Sequence, residues 1–267
     1  MAGADGEHMP TALLTRHVHV EHVMGTVVSL DVRAGADAGR AVAVAFADAA
    51  AWLHDVDARF STYRADSEIR LIDEGALAVA DASPTVRWVL DRCAELRAAT
   101  GGFFDAWAAD RLDPSALVKG WAVQEAADRL TAAGLTDFCL SAGGDVVVRG
   151  GARPDPVWRV GIQHPFDRHA VAAVTVAADT AVATSGTYER GEHVLDPRTG
   201  RPPAGVLSVT VTGPDLGTAD AYSTAALAMG KDGPRWTARL DGYEAMTILD
   251  GGVVLCTPGF PLAEEAA

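Results

Sequence analysis

The sequence is poor in cysteine, in basic residues and in long apolar runs, and it lacks the usual nucleotide-binding signatures. Each shortage removes a class of function. Only Cys93, Cys139 and Cys256 are present, far apart and with no CxxC pair. That spacing supports neither a disulfide framework nor a zinc site, and thiols so scattered are expected as small buried hydrophobes. Lys and Arg number 22 against 36 Asp and Glu, for a net charge of −14. So acidic a chain has no general electrostatic grip on nucleic acid or on an anionic membrane surface. No stretch approaches the ~18–20 apolar residues of a membrane span. The start, "MAGADGEHMPTALLTR", has neither the charged opening nor the apolar run of a secretory signal, so a cytoplasmic location is expected. Neither GxGxxG nor a Walker A pattern occurs, which removes the commonest dinucleotide and nucleotide cradles.

What remains is 49% hydrophobic and 22% charged over 267 residues, a composition for a globular chain with a sizeable core. Residues 1–17 read as a flexible lead and 18–267 as a single domain. "HVHVEHVMGTVVSLDVR" alternates as two strands, or as one broken at Gly25. "AGRAVAVAFADAAAWLHDVDARF" has helical spacing, and a short helix is expected from Ser67. "PTVRWVLDRCAELRAATGG" is a helix started by Pro84 and ended by Gly101 and Gly102. "LVKGWAVQEAADRLTAAG" is another, stopped by Gly134. Strands are expected in "DFCLSAGGDVVVRGG" (two, joined through Gly143 and Gly144), "VWRVGIQHP", "AVAAVTVAA", "TAVATSG" and "VLSVTVTG". "TADAYSTAALAMG" is a helix with Gly230 after its end. "GPRWTARLDG" holds a short helix, and "AMTILDGGVVLC" closes as a hairpin around Asp250-Gly251-Gly252. Strands and helices do not alternate regularly, so the fold class is α+β.

Four segments concentrate chemistry. In "TADAYSTAALAMG", Asp220 and Thr224 are four apart and share a helical face. A carboxylate above a hydroxyl offers hard oxygen ligands of the kind Mg²⁺ takes, and Ser223 adds a third oxygen directly or through water. The same residues also fit an ordinary helix start, with Thr218 as cap and Asp220 complementing the dipole. "LSAGGDVVVRGG" ends a strand in paired glycines before Asp145, which suits either a close ligand or a plain hairpin turn. "DPSALVKGWAVQEAA" puts Asp113, Lys119 and Gly120 at a loop-to-helix junction, an anion site or a surface Lys beside an Asp cap. "ATSGTYERGEHVLDPRTG" is polar and stiffened by Pro197, Pro202 and Pro203 beyond it. There His193 beside an Asp-Pro turn is a candidate general base, or a solvated His on a surface hairpin.

Taken in order, nine segments resemble the ApbE, or flavin-transferase, family of FAD:protein FMN transferases. They are "MGTVVSLDV", "FSTYRADSEIRLID", "GGFFDAW", "DPSALVKGWAVQEAADRL", "LSAGGDVVVRG", "WRVGIQHP", "ATSGTYER", "HVLDPRTGRP" and "TADAYSTAALAMG". The resemblance implies an ApbE-like (T-fold-like) architecture of antiparallel sheets and packed helices. It implies Mg²⁺ and FAD, with FMN moved from FAD onto a Ser or Thr of a target flavoprotein and AMP released. An FAD pyrophosphatase and a non-catalytic FAD-binding protein are the alternatives. By the same resemblance Asp220 and Thr224 match metal ligands, with Ser223 beside them, and Ala116 matches a backbone-carbonyl ligand. His193 matches the proposed base. Met24, Tyr63, Phe103, Phe104, Asp105, Asp113, Lys119 and Leu195 match FAD contacts. The sequence departs from the family in crossing from Asp105 to Lys119 in only fourteen positions, in "PSALVKG" where "LGGIAKG" is common, and in carrying Ser223 where some members have a second Asp.

Overall fold

The structure is a computed structural model that describes residues 14–108, 111–188 and 194–263. Its frame is an eight-stranded antiparallel sheet. Alternation in Leu14–Val23 (β1) and Thr26–Gly35 (β2) produces a hairpin whose two-residue turn is Met24-Gly25. Both turn residues have positive φ, 53° and 67°, the backbone that a tight hairpin with right-twisted strands requires. Glycine adopts it freely, whereas Met24 carries the strain of a left-handed side-chain position. β1 begins inside the stretch expected as a loose lead.

The chain then leaves the sheet for four helices: Gly39–Phe60 (α1), Glu68–Asp73 (α2), Pro84–Ala99 (α3) and Ser115–Ala132 (α4). Ser67 and Ser83 cap α2 and α3 by accepting from the backbone N–H three residues on. The sheet resumes with Phe138–Ala142 (β3), which pairs with β2, and Asp145–Arg149 (β4). Trp158–His164 (β5) and Asp167–Ala177 (β6) form a separate two-stranded hairpin. Thr180–Gly186 (β7) rejoins the sheet beside β4, followed by Val206–Gly213 (β8). A second helical excursion, Leu216–Ala228 (α5) and Gly233–Thr237 (α6), precedes Glu244–Leu249 (β9) and Val254–Cys256 (β10). The order across the sheet is β1-β2-β3-β4-β7-β8-β9-β10.

Period-two burial gives the sheet two different faces. Val28, Leu30, Phe138, Leu140, Val147, Ala181, Ala183, Val209 and Val211 point to one side and join the helices in the main core. Val146 and Val148 point to the other side and are covered by Trp158 and Ala177 of the β5–β6 hairpin. Nearby, Met246 and Ile248 pack on Ile162 and Phe260. Antiparallel strands with packed helices make this an α+β fold. Two local expectations change. Of the thiols, Cys93 is buried and Cys139 half-buried, but Cys256 on the short edge strand β10 is exposed. The start of α5 is capped by Asp215, not Thr218: the Asp215 carboxylate accepts from both the N–H and the hydroxyl of Thr218, at 2.7 and 2.6 Å. The helix starts three residues earlier than the Thr218 reading implied, so Thr218 lies within it.

Candidate functional site

α5 is buried on nearly every side. Leu216, Gly217, Ala219, Ala221, Ala225, Ala226, Leu227 and Ala228 fill its faces with small or apolar side chains, the pattern of a helix inside a core. It lies against β7 and β8 on one side and α4 on another. The α4–α5 crossing is close because of two glycines. A Cβ on Gly120 would stand 2.7 Å from the Leu216 carbonyl and 2.9 Å from the Asp220 Cβ, and one on Gly217 would meet the Trp121 N at 3.1 Å. That approach brings Lys119 and Asp220 together.

Three charges meet there. Asp145, at the head of β4, is wholly buried. It accepts from the Lys119 ammonium and, at 3.2 Å, from the Thr184 N–H. The same ammonium stands 3.4 Å from Asp220 Oδ2. That oxygen is buried, and the Lys119 ammonium is the charge that faces it. Burial pushes the Asp220 carboxyl up to about 8; Lys119 opposes the shift and the neighbouring Asp145 charge adds to it. Lys119 therefore lies between two buried carboxylates, a different setting from the surface cation or simple anion hook its sequence context suggests.

One turn along α5 from Asp220 come Ser223 and Thr224. Ser223 is fully buried, and its hydroxyl donates to the Asp220 carbonyl at 2.9 Å. Ser185 near the end of β7 has its Oγ 2.8 Å from Ser223 Oγ and 3.0 Å from Thr224 Oγ1. Alternation along β7 turns Ala181, Ala183 and Ser185 toward the helices, which is why this serine faces α5. The donors are hard oxygens: a buried carboxylate oxygen, a hydroxyl one turn away, and the backbone carbonyl of Ala116 in the first turn of α4. Such a set suits a hard divalent cation such as Mg²⁺. Among the described residues no group of three or more His, Cys, Asp or Glu is placed to hold a metal, so a cation here would rest on one carboxylate with neutral oxygens and water. The buried Asp220 carboxylate, which shares Lys119 with Asp145, fits that role.

The other residues singled out in the sequence are dispersed. Met24 is half-buried in the β1–β2 turn and packs against the main core. Tyr63 projects into solvent at 92% exposure. Phe103 is half-buried, and the Arg198 guanidinium stacks on its ring at 3.6 Å, within cation–π range. Phe104 lies in the core at 3% exposure, so its ring presents no face to a ligand. Asp105 accepts from Arg97 at 2.7 Å and from the Trp107 N–H at 3.0 Å. Asp113 accepts from the Ser115 N–H at 3.1 Å, and Pro114 takes the cap position of α4. Leu195 is 37% exposed. Ala116 lies in the first turn of α4. His193 lies outside the described residues. The loop after it is described: Asp196 accepts from Arg198 at 3.1 Å and pairs with Arg201 through the backbone. Hydrogen bonding from Arg198 holds the Asp196 carboxyl below its usual range. Beside this loop a cavity of about 200 Å³ is lined by Thr187, Val194, Pro202, Pro203, Val206 and Leu207.

Two participants had only a faint sequence signal. Asp145 follows the paired glycines of "SAGGD", and Ser185 lies in "TSG". Either tripeptide is common in hairpins, and nothing local to them points toward α4 or α5.

Comparison with known proteins bears on the fold and the family. A match to the ApbE family covers residues 24–110 and 107–247; the two segments meet inside the short connection from Asp105 to Lys119. A protein named FAD:protein FMN transferase from Rhodobacter capsulatus is 41% identical over 167 residues, covering 58% of this chain and 31% of that protein. One of the same name from Vibrio cholerae is 35% identical over 131 residues, covering 45% of this chain and 39% of that protein. The matched stretch thus spans less than half the length of these curated relatives. The structure of flavin transferase ApbE from Vibrio cholerae superposes with a TM-score of 0.79 at 23% identity, over 92% of this chain and 98% of the other. That of the ApbE protein from Thermotoga maritima gives 0.78 at 22% identity, over 91% and 97%. At those identities the superpositions speak for the fold, while the family match runs through the strands that carry Asp145 and Ser185 and through the helix that carries Asp220 and Thr224. The chain belongs to the ApbE family.

Proposed function

We propose that the protein is a Mg²⁺-dependent FAD:protein FMN transferase, moving FMN from FAD to a Ser or Thr hydroxyl of a target flavoprotein and releasing AMP. The observation that carries this reading is the buried Asp220 carboxylate, which shares Lys119 with Asp145 and lies one helical turn from the Thr224 hydroxyl. Asp145 and Asp220 are two buried carboxylates that share the Lys119 ammonium, so with both ionised the cluster is short of positive charge, which a cation beside Asp220 would supply. The name shared by the curated relatives supplies the chemistry.

Asp220 and Thr224 would hold the metal, with the Ala116 carbonyl as a third ligand. Bound there, Mg²⁺ would neutralise the pyrophosphate of FAD and the charge growing on the departing AMP. Lys119 would keep Asp145 paired and add positive charge where an otherwise acidic chain must accept an anionic substrate. Phe103 and Met24 would pack on the ring systems of FAD. His193 would take the proton of the acceptor hydroxyl as its oxygen bonds to the FMN phosphorus and the bond to AMP breaks. The Asp196–Arg198 pair on Phe103 would fix the loop that follows the base.

The test is product analysis of the purified chain with FAD and Mg²⁺, with and without EDTA and a candidate recipient domain. AMP together with covalent flavin on the recipient, both lost with EDTA and in Asp220→Ala and His193→Ala, is the expected result. Undiminished covalent flavin in either variant would sink the reading. AMP and free FMN without recipient would make the protein an FAD pyrophosphatase, and intact FAD with every recipient an FAD-binding protein.

A further inference from the structure

The three hydroxyls beside Asp220 form a chain whose direction can be worked out. A backbone carbonyl only accepts, so in the Ser223–Asp220 bond of 2.9 Å the Ser223 hydroxyl is the donor. Its one proton is then spent. In the 2.8 Å contact between Ser185 and Ser223, Ser185 must donate. Its proton is spent in turn, so in the 3.0 Å contact between Ser185 and Thr224 the donor is Thr224. The order is Thr224 to Ser185 to Ser223 to the Asp220 carbonyl. Ser223 is fully buried and Ser185 only 8% exposed, so water offers little competition for these protons.

This order has a chemical consequence. A hydroxyl ligates a cation through an oxygen lone pair, with its proton directed elsewhere. Ser185 takes that proton and leaves the lone pairs of Thr224 Oγ1 available. We infer that Ser185 is a positioning residue for metal binding: it orients the Thr224 hydroxyl as a ligand and does not touch the metal itself. Ser223, expected beside the ligands from the sequence, instead anchors this chain of hydrogen bonds to the turn that carries Asp220. The inference rests on the proposed reading of Asp220 and Thr224 as metal ligands, and it explains why a strand end and a helix must be in register before the site works.

The test uses Mn²⁺ as the probe, with binding to the full chain followed by loss of the free-ion electron paramagnetic resonance signal. No substrate or turnover enters. Ser185→Ala should weaken Mn²⁺ binding about three- to tenfold, the range for losing one hydrogen bond, with the melting temperature of the metal-free protein little changed. Ser185→Thr, which keeps the hydroxyl, should bind close to wild type. Thr224→Val should weaken binding further, and adding Ser185→Ala to it should cost nothing more, because the serine acts through the threonine. Wild-type affinity in Ser185→Ala, or a full additional loss in the double variant, would overturn the inference. Asp220→Asn separates the two levels. If wild type binds Mn²⁺ and Asp220→Asn does not, the metal site stands and the Ser185 result is judged alone. If wild type takes up no Mn²⁺, the metal reading falls and this inference with it.

Discussion

Asp220 is the charged side chain in a helix otherwise made of uncharged residues, and it is only 2% exposed. The raised pKa of its carboxyl sets the sign of a pH effect. In the unfolded chain it ionises near 3.8, and in the metal-free fold near 8. Between those values folding takes up a proton. The Asp220 contribution to stability is therefore full below 3.8, falls as pH rises, and is lost by about 8. Asp220→Asn cannot ionise, so the variant should melt higher than the metal-free wild type at pH 8 and show a smaller difference at pH 5. Thermal unfolding in EDTA at both values measures this. An equal difference at the two pH values would mean that Asp220 is not held against its charge. The predicted cost is the one a cation would relieve, which ties the stability of the residue to its proposed role.

At the scale of elements, the site depends on how closely α4 and α5 cross. Gly120 and Gly217 remove the side chains that would hold these helices apart. Gly120→Ala would push its Cβ against backbone on α5, and overpacking of this kind costs about 1–3 kcal/mol. Urea unfolding should show that loss, and displacement of Asp220 should weaken Mn²⁺ binding as well. A variant of native stability and native Mn²⁺ affinity would show that the crossing tolerates a methyl group. The elements themselves were legible. Alternation marked β1 and β2, Pro84 and the Gly101-Gly102 pair bounded α3, and Gly230 with φ of 59° follows α5. Thr218 is a competent cap by type, but Asp215, three residues earlier, is the stronger one. Their competition was decided by the geometry that lets one carboxylate accept two bonds from Thr218.

For the whole molecule, burial on both faces of the sheet sorts what water reaches from what it does not. The helices cover one face and the β5–β6 hairpin part of the other. Among the described residues no helix is long and apolar enough to cross a membrane. The thiols report this partition. Burial pushes Cys93 and Cys139 up to about 12; partial burial raises Cys256 as well, but that thiol sits exposed on β10, open to a reagent. A thiolate-selective reagent should label Cys256 quickly in the native protein and all three thiols after unfolding. Peptide mapping that found fast native labelling at Cys93 would contradict the core as described.

By itself the sequence determined the element types, the family and the candidate ligands Asp220 and Thr224. Periodicity, turn glycines and an i, i+4 pair are short-range properties written in consecutive residues. It also showed the short connection between Asp105 and Lys119. Tertiary structure alone decided that Lys119 lies between Asp145 and Asp220, that Phe104 is core while Tyr63 is exposed, and that Ser185 reaches Thr224. Those contacts join residues 26, 101 and 39 positions apart. Such pairings follow from strand order and from the separation of two helices, to which all the intervening residues contribute and which no local pattern encodes.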